Sequence, residues 1–242
     1  MKTIFSLVLI FTSLSSYAES VSFIQLEGSL VYQTRNEQRI PGKGGTQLDL
    51  SDFNKGPFEA FRLYAGKVFN NKHEVRVLYA PLEIDLKANL TGPVLFNGTT
   101  FGVGATDAYY KFNSYRLTYA FHFEPMNLWQ FAVGGTVKIR HAEVRLSQGE
   151  VVSSRKSIGF VPLLNLQAVR PLANNWFFRF DFDGLLAPQG RAFDIAFLIE
   201  YKFQKHFSAL GGYRMVEGGA DNDKVYSFAW IHYATLGLRS DF

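Results

Sequence analysis

The sequence predicts an all-β fold: a closed antiparallel transmembrane β-barrel of ten strands, with eight as the other count it allows. Three observations lead there. Apolar and polar residues alternate with period two along most of the chain, short polar turns alternate with long connections, and aromatic residues stand beside the short turns.

The elements follow in chain order. Residues 1–18 carry Lys2, an apolar run from Ile4 to Leu14 and small residues ending at Ser16-Tyr17-Ala18, the three-part build of a secretory signal cleaved after Ala18. The run is shorter than the roughly 20 residues a membrane helix needs, so it reads as a signal and not an anchor. Residues 19–242 then form one domain. Its first strands are expected at residues 21–34, 57–69 and 73–88, with Asn70-Asn71-Lys72 as the tight turn between the second and third. The fourth, 108–123, alternates most clearly: Tyr115, Leu117, Tyr119, Phe121 and Phe123 share one face, opposite Ser114, Arg116, Thr118, Ala120 and His122. After Glu124-Pro125-Met126-Asn127, the fifth strand, 128–147, sets Trp129, Phe131, Val133, Val137 and Ile139 against Gln130, Ala132, Thr136, Lys138 and Arg140. The sixth and seventh, 154–170 and 176–187, meet at Ala173-Asn174-Asn175. In the eighth, 191–203, Phe193, Ile195, Phe197, Ile199 and Tyr201 oppose Asp194, Ala196, Leu198 and Glu200. Gln204-Lys205-His206 leads to the ninth and tenth, 207–216 and 225–242.

Each short turn is flanked by rings: Phe69, Phe123, Trp129, Trp176, Phe203 and Phe207. Amphipathic rings are most stable at the headgroup level, so these positions suit an interfacial girdle. The connections at 35–56, 89–107, 148–153 and 217–224 are longer or richer in glycine, with the tight Pro188-Gln189-Gly190 as the exception. In outer-membrane barrels long loops lie outside and short turns in the periplasm, which places the chain in the cell outer membrane with both termini periplasmic.

Composition narrows the function classes. Without cysteine the chain can hold no disulfide, thiolate metal site or cysteine nucleophile. The net charge of +4 is small, and no basic stripe with interleaved aromatics stands out, so no nucleic-acid partner is expected. The mean hydropathy of −0.02 would suit a soluble protein, but hydropathy averages away a period-two pattern.

Alternation also assigns the lumen. It turns Glu27, Arg62, Glu74, Arg76, Arg116, His122, Lys138, Arg140, Arg179, Asp181, Asp183, Asp194, Glu200 and Arg214 inward. A ten-stranded barrel is only slightly wider than the eight-stranded kind that side chains fill, so these charges must pair across a narrow interior. Folding around Gln189 brings Arg179 close to Glu200 and Asp183 close to Asp194; folding around Lys205 sets Arg214 diagonal to Asp194. Asp181, Asp183, Asp194, Arg179, Glu200, Arg214 and the nearby Arg191 are therefore expected as one charge cluster toward the outer mouth. Simple pairing of the third and fourth strands would set His122 beside Glu74.

No catalytic residue, metal site or cofactor is assigned. The Asp-x-His pair of omptin-type outer-membrane proteases is absent, and the His-x-Ser pair of lipid A deacylases occurs only at His206 and Ser208, beside a periplasmic turn. Asp221, Asn222 and Asp223 offer oxygen ligands without the EF-hand spacing, which reads as a solvated turn.

Leu236, Leu238 and Phe242 share a face and resemble the C-terminal assembly signal of outer-membrane barrels, with Ser240 as the departure. The runs Phe112-Asn113-Ser114-Tyr115-Arg116-Leu117-Thr118-Tyr119, Gly190-Arg191-Ala192-Phe193-Asp194, and 217–226 resemble an uncharacterised family of small proteobacterial outer-membrane proteins, which implies the same fold and carries no activity to transfer. The expected role is structural, or narrow-pore permeation of small solutes through a salt-bridged lumen. The alternatives are a surface-facing hydrolase acting on lipid or peptide, and a receptor or adhesin using the loops at 35–56 and 89–107. The expected partners are outer-membrane lipids and lipopolysaccharide, and the barrel-assembly machinery through the C-terminal strand; the sequence leaves the oligomeric state open.

Overall fold

The alternation becomes a wall with two faces. The computed structural model describes residues 20–188 and 190–242, so the signal at residues 1–18 lies outside the described residues. In chain order the elements are β1 (Ser20–Arg39), the short β2 (Leu48–Asp49), a 3-10 turn at Leu50–Asp52, β3 (Phe58–Phe69), β4 (His73–Ala80) and β5 (Glu83–Leu90). There follow the small hairpin β6 (Val94–Phe96) and β7 (Thr99–Phe101), then β8 (Gly104–His122), β9 (Gln130–Gln148) and β10 (Val151–Ala173). The last are β11 (Trp176–Ala187), β12 (Gly190–Gln204), β13 (Phe207–Asp221) and β14 (Tyr226–Asp241). Neighbours pair antiparallel, and β14 returns to β1, with Leu26 opposite Leu238, to close the sheet. β4 and β5 are two parts of one strand, so the wall has ten.

That interruption has a local cause. Pro81 has no N–H for the ladder, while the register continues unbroken across it, with Ala80 opposite Ser114 and Glu83 opposite Lys111. The Asn113 side chain accepts from the Leu82 N–H at 3.0 Å in place of a strand partner. β1 runs further than expected, to Arg39, because a register shift between Gln33 and Arg35 keeps Asn36 and Gln38 turned inward. β13 likewise extends to Asp221 instead of stopping near residue 216.

Facing follows the sequence pattern. Leu117 is 53% exposed while its neighbour Arg116 is 6% exposed, and the same contrast recurs around the wall with Leu26, Leu63, Val77, Val137 and Phe197 outside. A belt of this breadth suits hydrocarbon, not water. Rings edge it on both sides: Tyr79 stacks on Tyr115 with centroids 5.2 Å apart at one rim, and Trp176 meets Tyr201 at 4.6 Å at the other. The turns at that second rim are tight, with Asn70, Asn71, Asn127 and Asn175 in the left-handed region that Asn tolerates.

At the opposite end the long connections fold over the mouth. Asn97-Gly98, with φ of 47° and 82°, makes the tight turn of the β6–β7 hairpin. Phe96 and Phe101 are 1% and 0% exposed and join Ile40, Leu50, Leu82, Ile84, Leu86, Val144, Leu146 and Ile231 in one apolar cluster. Thr46 and Leu95 hydrogen-bond to each other, and the Asn97 N–H donates to the Ile40 carbonyl at 2.6 Å, so the two long connections hold one another. They cover the stretch where β3 and β5 no longer pair, since that ladder ends at Leu63 opposite Tyr79.

A second stretch of wall is incomplete, and among the described residues the lobe reaches only its far end, where the Asn97 side chain donates to the Ser154 carbonyl at 3.0 Å. β10 pairs with β9 over its length from Val151 to Val169, but with β11 only from Leu164, opposite Gly184. The cause is the tight connection after Ala187, which leaves β11 too short to follow β10 outward.

Candidate functional site

Mid-lumen, six charged side chains from six strands form one layer. β12 supplies Asp194, whose Oδ2 accepts from Arg62 on β3 at 2.9 Å and from Arg116 on β8 at 2.6 Å, while Oδ1 accepts from Arg214 on β13 at 2.8 Å. Asp183 lies directly opposite Asp194 on β11. Its Oδ2 accepts from Arg116 at 2.8 Å, and its Oδ1 accepts from Thr136 at 2.7 Å and Asn165 at 2.9 Å. Glu27 on β1 completes the ring, 3.3 Å from Arg214 and 3.8 Å from Arg62. Most of the remaining donor capacity is also used: Arg62 Nε donates to the Tyr64 hydroxyl, Arg116 Nε to Ser114, and Gln25 donates to Glu27, while Arg214 Nε has no partner among the described residues.

Three carboxylates thus face three guanidiniums, and the layer is neutral. All six are buried, and the gaps among them hold no space of water size. Arginine suits this duty, because a rigid planar fork can join two acids at once, as Arg116 does. Both oxygens of each aspartate are occupied by donors, so the arrangement's chemistry is cross-barrel pairing.

The structure brings together only part of the expected cluster. Asp183, Asp194 and Arg214 meet as anticipated, with Arg214 diagonal to Asp194. Asp181 lies on the short-turn side, where it takes Arg76 at 3.0 Å. Arg179 pairs with Glu200 nearer still to that rim. Glu74 accepts from His122 at 3.0 Å, with Arg76 3.5 Å away. Arg191 does not join: it stands three residues from Asp194, and an odd spacing on a strand gives the opposite face. It points outside, bonds Glu217 at 2.7 Å and covers the Phe228 ring at 4.9 Å. The cluster is also mid-lumen and not at the mouth, because the wall continues outward past it. Tyr64, Ser114 and Thr136 were readable as its neighbours, each two residues from a charged inward position. Asn165 was not, since β10 sends no charge into this layer.

Lys138 and Arg140 face the outer side of the layer and remain apart from it. Lys138 contacts the Phe112 ring at 4.6 Å, and Arg140 donates to Ser157 at 3.1 Å. Above them lies a cavity of about 620 Å³; below the layer, toward the short turns, a second holds about 310 Å³. At the loop end the Asn222 side chain accepts from the N–H groups of Lys224 and Val225, and Lys43 of the long connection bonds Asp223, so this segment is a turn tied to its neighbour.

No family model matches the sequence, and no curated protein matches it either. Solved structures do. The outer-membrane protease OmpT of Escherichia coli aligns over 96% of this chain and 99% of its own at 10% identity, with a TM-score of 0.58. The chain has the fold of outer-membrane β-barrels. Ail, the attachment invasion locus protein of Yersinia pestis, aligns over 93% and 99% at 15% identity with a TM-score of 0.42. A major outer-membrane protein of Thermus thermophilus aligns over 92% and 99% at 14% identity with a TM-score of 0.45.

Proposed function

We propose that the chain is an integral protein of the bacterial outer membrane whose barrel is sealed at mid-lumen by ion pairs, a structural barrel and not a steady diffusion pore. Asp194 carries this reading: one carboxylate holds guanidiniums from three other strands, across a cross-section with no room for water. Permeation of small solutes would require this layer to part, and each separated charge would be left buried without its partner. The purified barrel in planar bilayers is therefore expected to show no steady current. A stable open conductance in most insertions would replace the sealed barrel with a pore.

The lobe of long connections faces the medium in this proposal, and the short turns and both termini face the periplasm, in keeping with the loop asymmetry of outer-membrane barrels. The apolar belt contacts lipid and lipopolysaccharide, and the C-terminal strand with Phe242 engages the assembly machinery. An impermeant thiol reagent is expected to label a Val103→Cys variant in intact cells, since Val103 is exposed in the outer lobe. A Lys205→Cys variant should react only after the outer membrane is opened, and the reverse pattern would invert the barrel.

A further inference from the structure

The outer half of the lumen has a door, an apolar chamber and a cation with no counter-ion among the described residues. From residue 155 to Leu163, no strand among the described residues lies beside β10 on its β11 side. Inward of Lys156, which pairs with Glu143 at 3.7 Å, the outward residues along that free edge are apolar, with Ile158 and Phe160 at 69% and 74% exposed. The hairpin across the gap is apolar as well: Leu185, Leu186 and Ala187 precede its turn, and Leu186 is 72% exposed. Polar residues normally fill such turns in water. The height of the gap follows from the ladders. Phe160 lies opposite Ile139, Ile139 opposite Tyr115, and Tyr115 stacks on Tyr79 in the outer aromatic rim. The gap therefore opens at the outer edge of the apolar belt, where the acyl chains of the outer leaflet begin.

Behind it lies the cavity of about 620 Å³, within the range of about 300–1,000 Å³ common for small-molecule sites. Tyr110, Phe112, Leu163, Val216 and Ile231 line it, and Ile40 of the covering loop closes it above. On its floor Lys138 is 3% exposed. No carboxylate and no hydrogen-bond acceptor among the described residues holds its ammonium; the Phe112 ring is its one close partner. Arg116 stands directly opposite it on the ladder, so like charges adjoin. Asp183 and Asp194, the acids of the layer beneath it, are committed to arginines. Arg140, which also lines the cavity, has its Nε buried without a hydrogen-bond partner. An ammonium held this way is unfavourable until an anion joins it.

We propose that the outer lumen binds a single acyl chain bearing one anionic head, admitted sideways from the outer leaflet between β10 and the β11–β12 hairpin. The head pairs with Lys138 and Arg140, and the chain occupies the apolar cavity and trails through the gap. A carboxylate and a phosphate monoester share this chemistry, so the probes are dodecanoate, dodecyl phosphate and dodecanol, titrated against the full barrel in phospholipid nanodiscs. At least one of the two anions is expected to bind about tenfold or more tighter than the alcohol, the effect of a charge-assisted bond in a water-poor site; which anion leads distinguishes fatty acid from phosphorylated lipid. Lys138→Met should abolish that preference and leave dodecanol binding unchanged, with the folded state checked by heat-modifiable migration. Gly159→Phe, which places a ring inside the cavity beside Arg140, should weaken all three probes. Equal affinity of wild-type barrel for anions and alcohol, or no binding at all, would overturn the proposal, as would an anion preference that survives Lys138→Met.

Discussion

Replacing Asp194 with Ala is expected to lower unfolding stability by about 3–5 kcal/mol, the usual result of removing one partner from a buried ion pair. Three guanidiniums converge on this carboxylate, so the loss should fall at the top of that range. Arg116 retains Asp183, whereas Arg62 and Arg214 are left to share Glu27, at 3.8 and 3.3 Å, and of these two only Arg214 has an Nε without a hydrogen-bond partner among the described residues. Arg214→Leu in the Asp194→Ala background should therefore recover part of the loss. Urea unfolding of the refolded barrel in lipid vesicles, taken round the double-mutant cycle, measures the coupling. Strict additivity, with neither single change destabilising, would show that the layer does not hold the barrel together.

Leu117→Arg addresses the other face of the same strand. Leu117 lies in the belt between Tyr115 and Tyr119, and a cation on a lipid-facing strand near mid-bilayer costs about 2–4 kcal/mol. In a water-soluble sheet an exposed Leu→Arg change would fall within about 0.5 kcal/mol of neutral. Val103→Arg, in the outer lobe, is the matched control and should be neutral. If both variants unfold at the same urea concentration as the parent, the belt does not face hydrocarbon.

The wall of the barrel was legible in the sequence because period two is a local property, carried by each strand alone. Leu117, Phe197 and Val137 face out and Arg116, Asp194 and Lys138 face in, as alternation requires. The Asp183–Asp194 and Arg214–Asp194 relations were legible too, since a tight turn fixes hairpin register. What escaped depends on contacts across the barrel. Arg62 meets Asp194 from 132 positions away, and no pattern within a strand announces that. Arg191 was misplaced because proximity in sequence was given more weight than parity. The folded mouth was hidden for a different reason: Asn97-Gly98 is a hairpin turn signal, but three-residue strands are too short to show alternation. The free edge of β10 could have been inferred from Pro188-Gln189-Gly190, a tight connection that follows a strand much shorter than β10.

The distribution of the mid-lumen charges along the chain bears on how the barrel closes. Arg62, Arg76 and Arg116 come from the first half, and their acids Asp181, Asp183 and Asp194 from the second. Until β14 reaches β1, these three arginines line the concave side of one half of the sheet and their three acids that of the other, so the two halves attract across the lumen. These three pairs span long sequence separations, unlike Arg214–Asp194 within one hairpin, so they cannot form early and be retained while the rest of the chain is disordered; closure should proceed late and cooperatively. A strand that slipped by one residue would turn its charge toward the acyl chains, which makes the incorrect registers the costly ones.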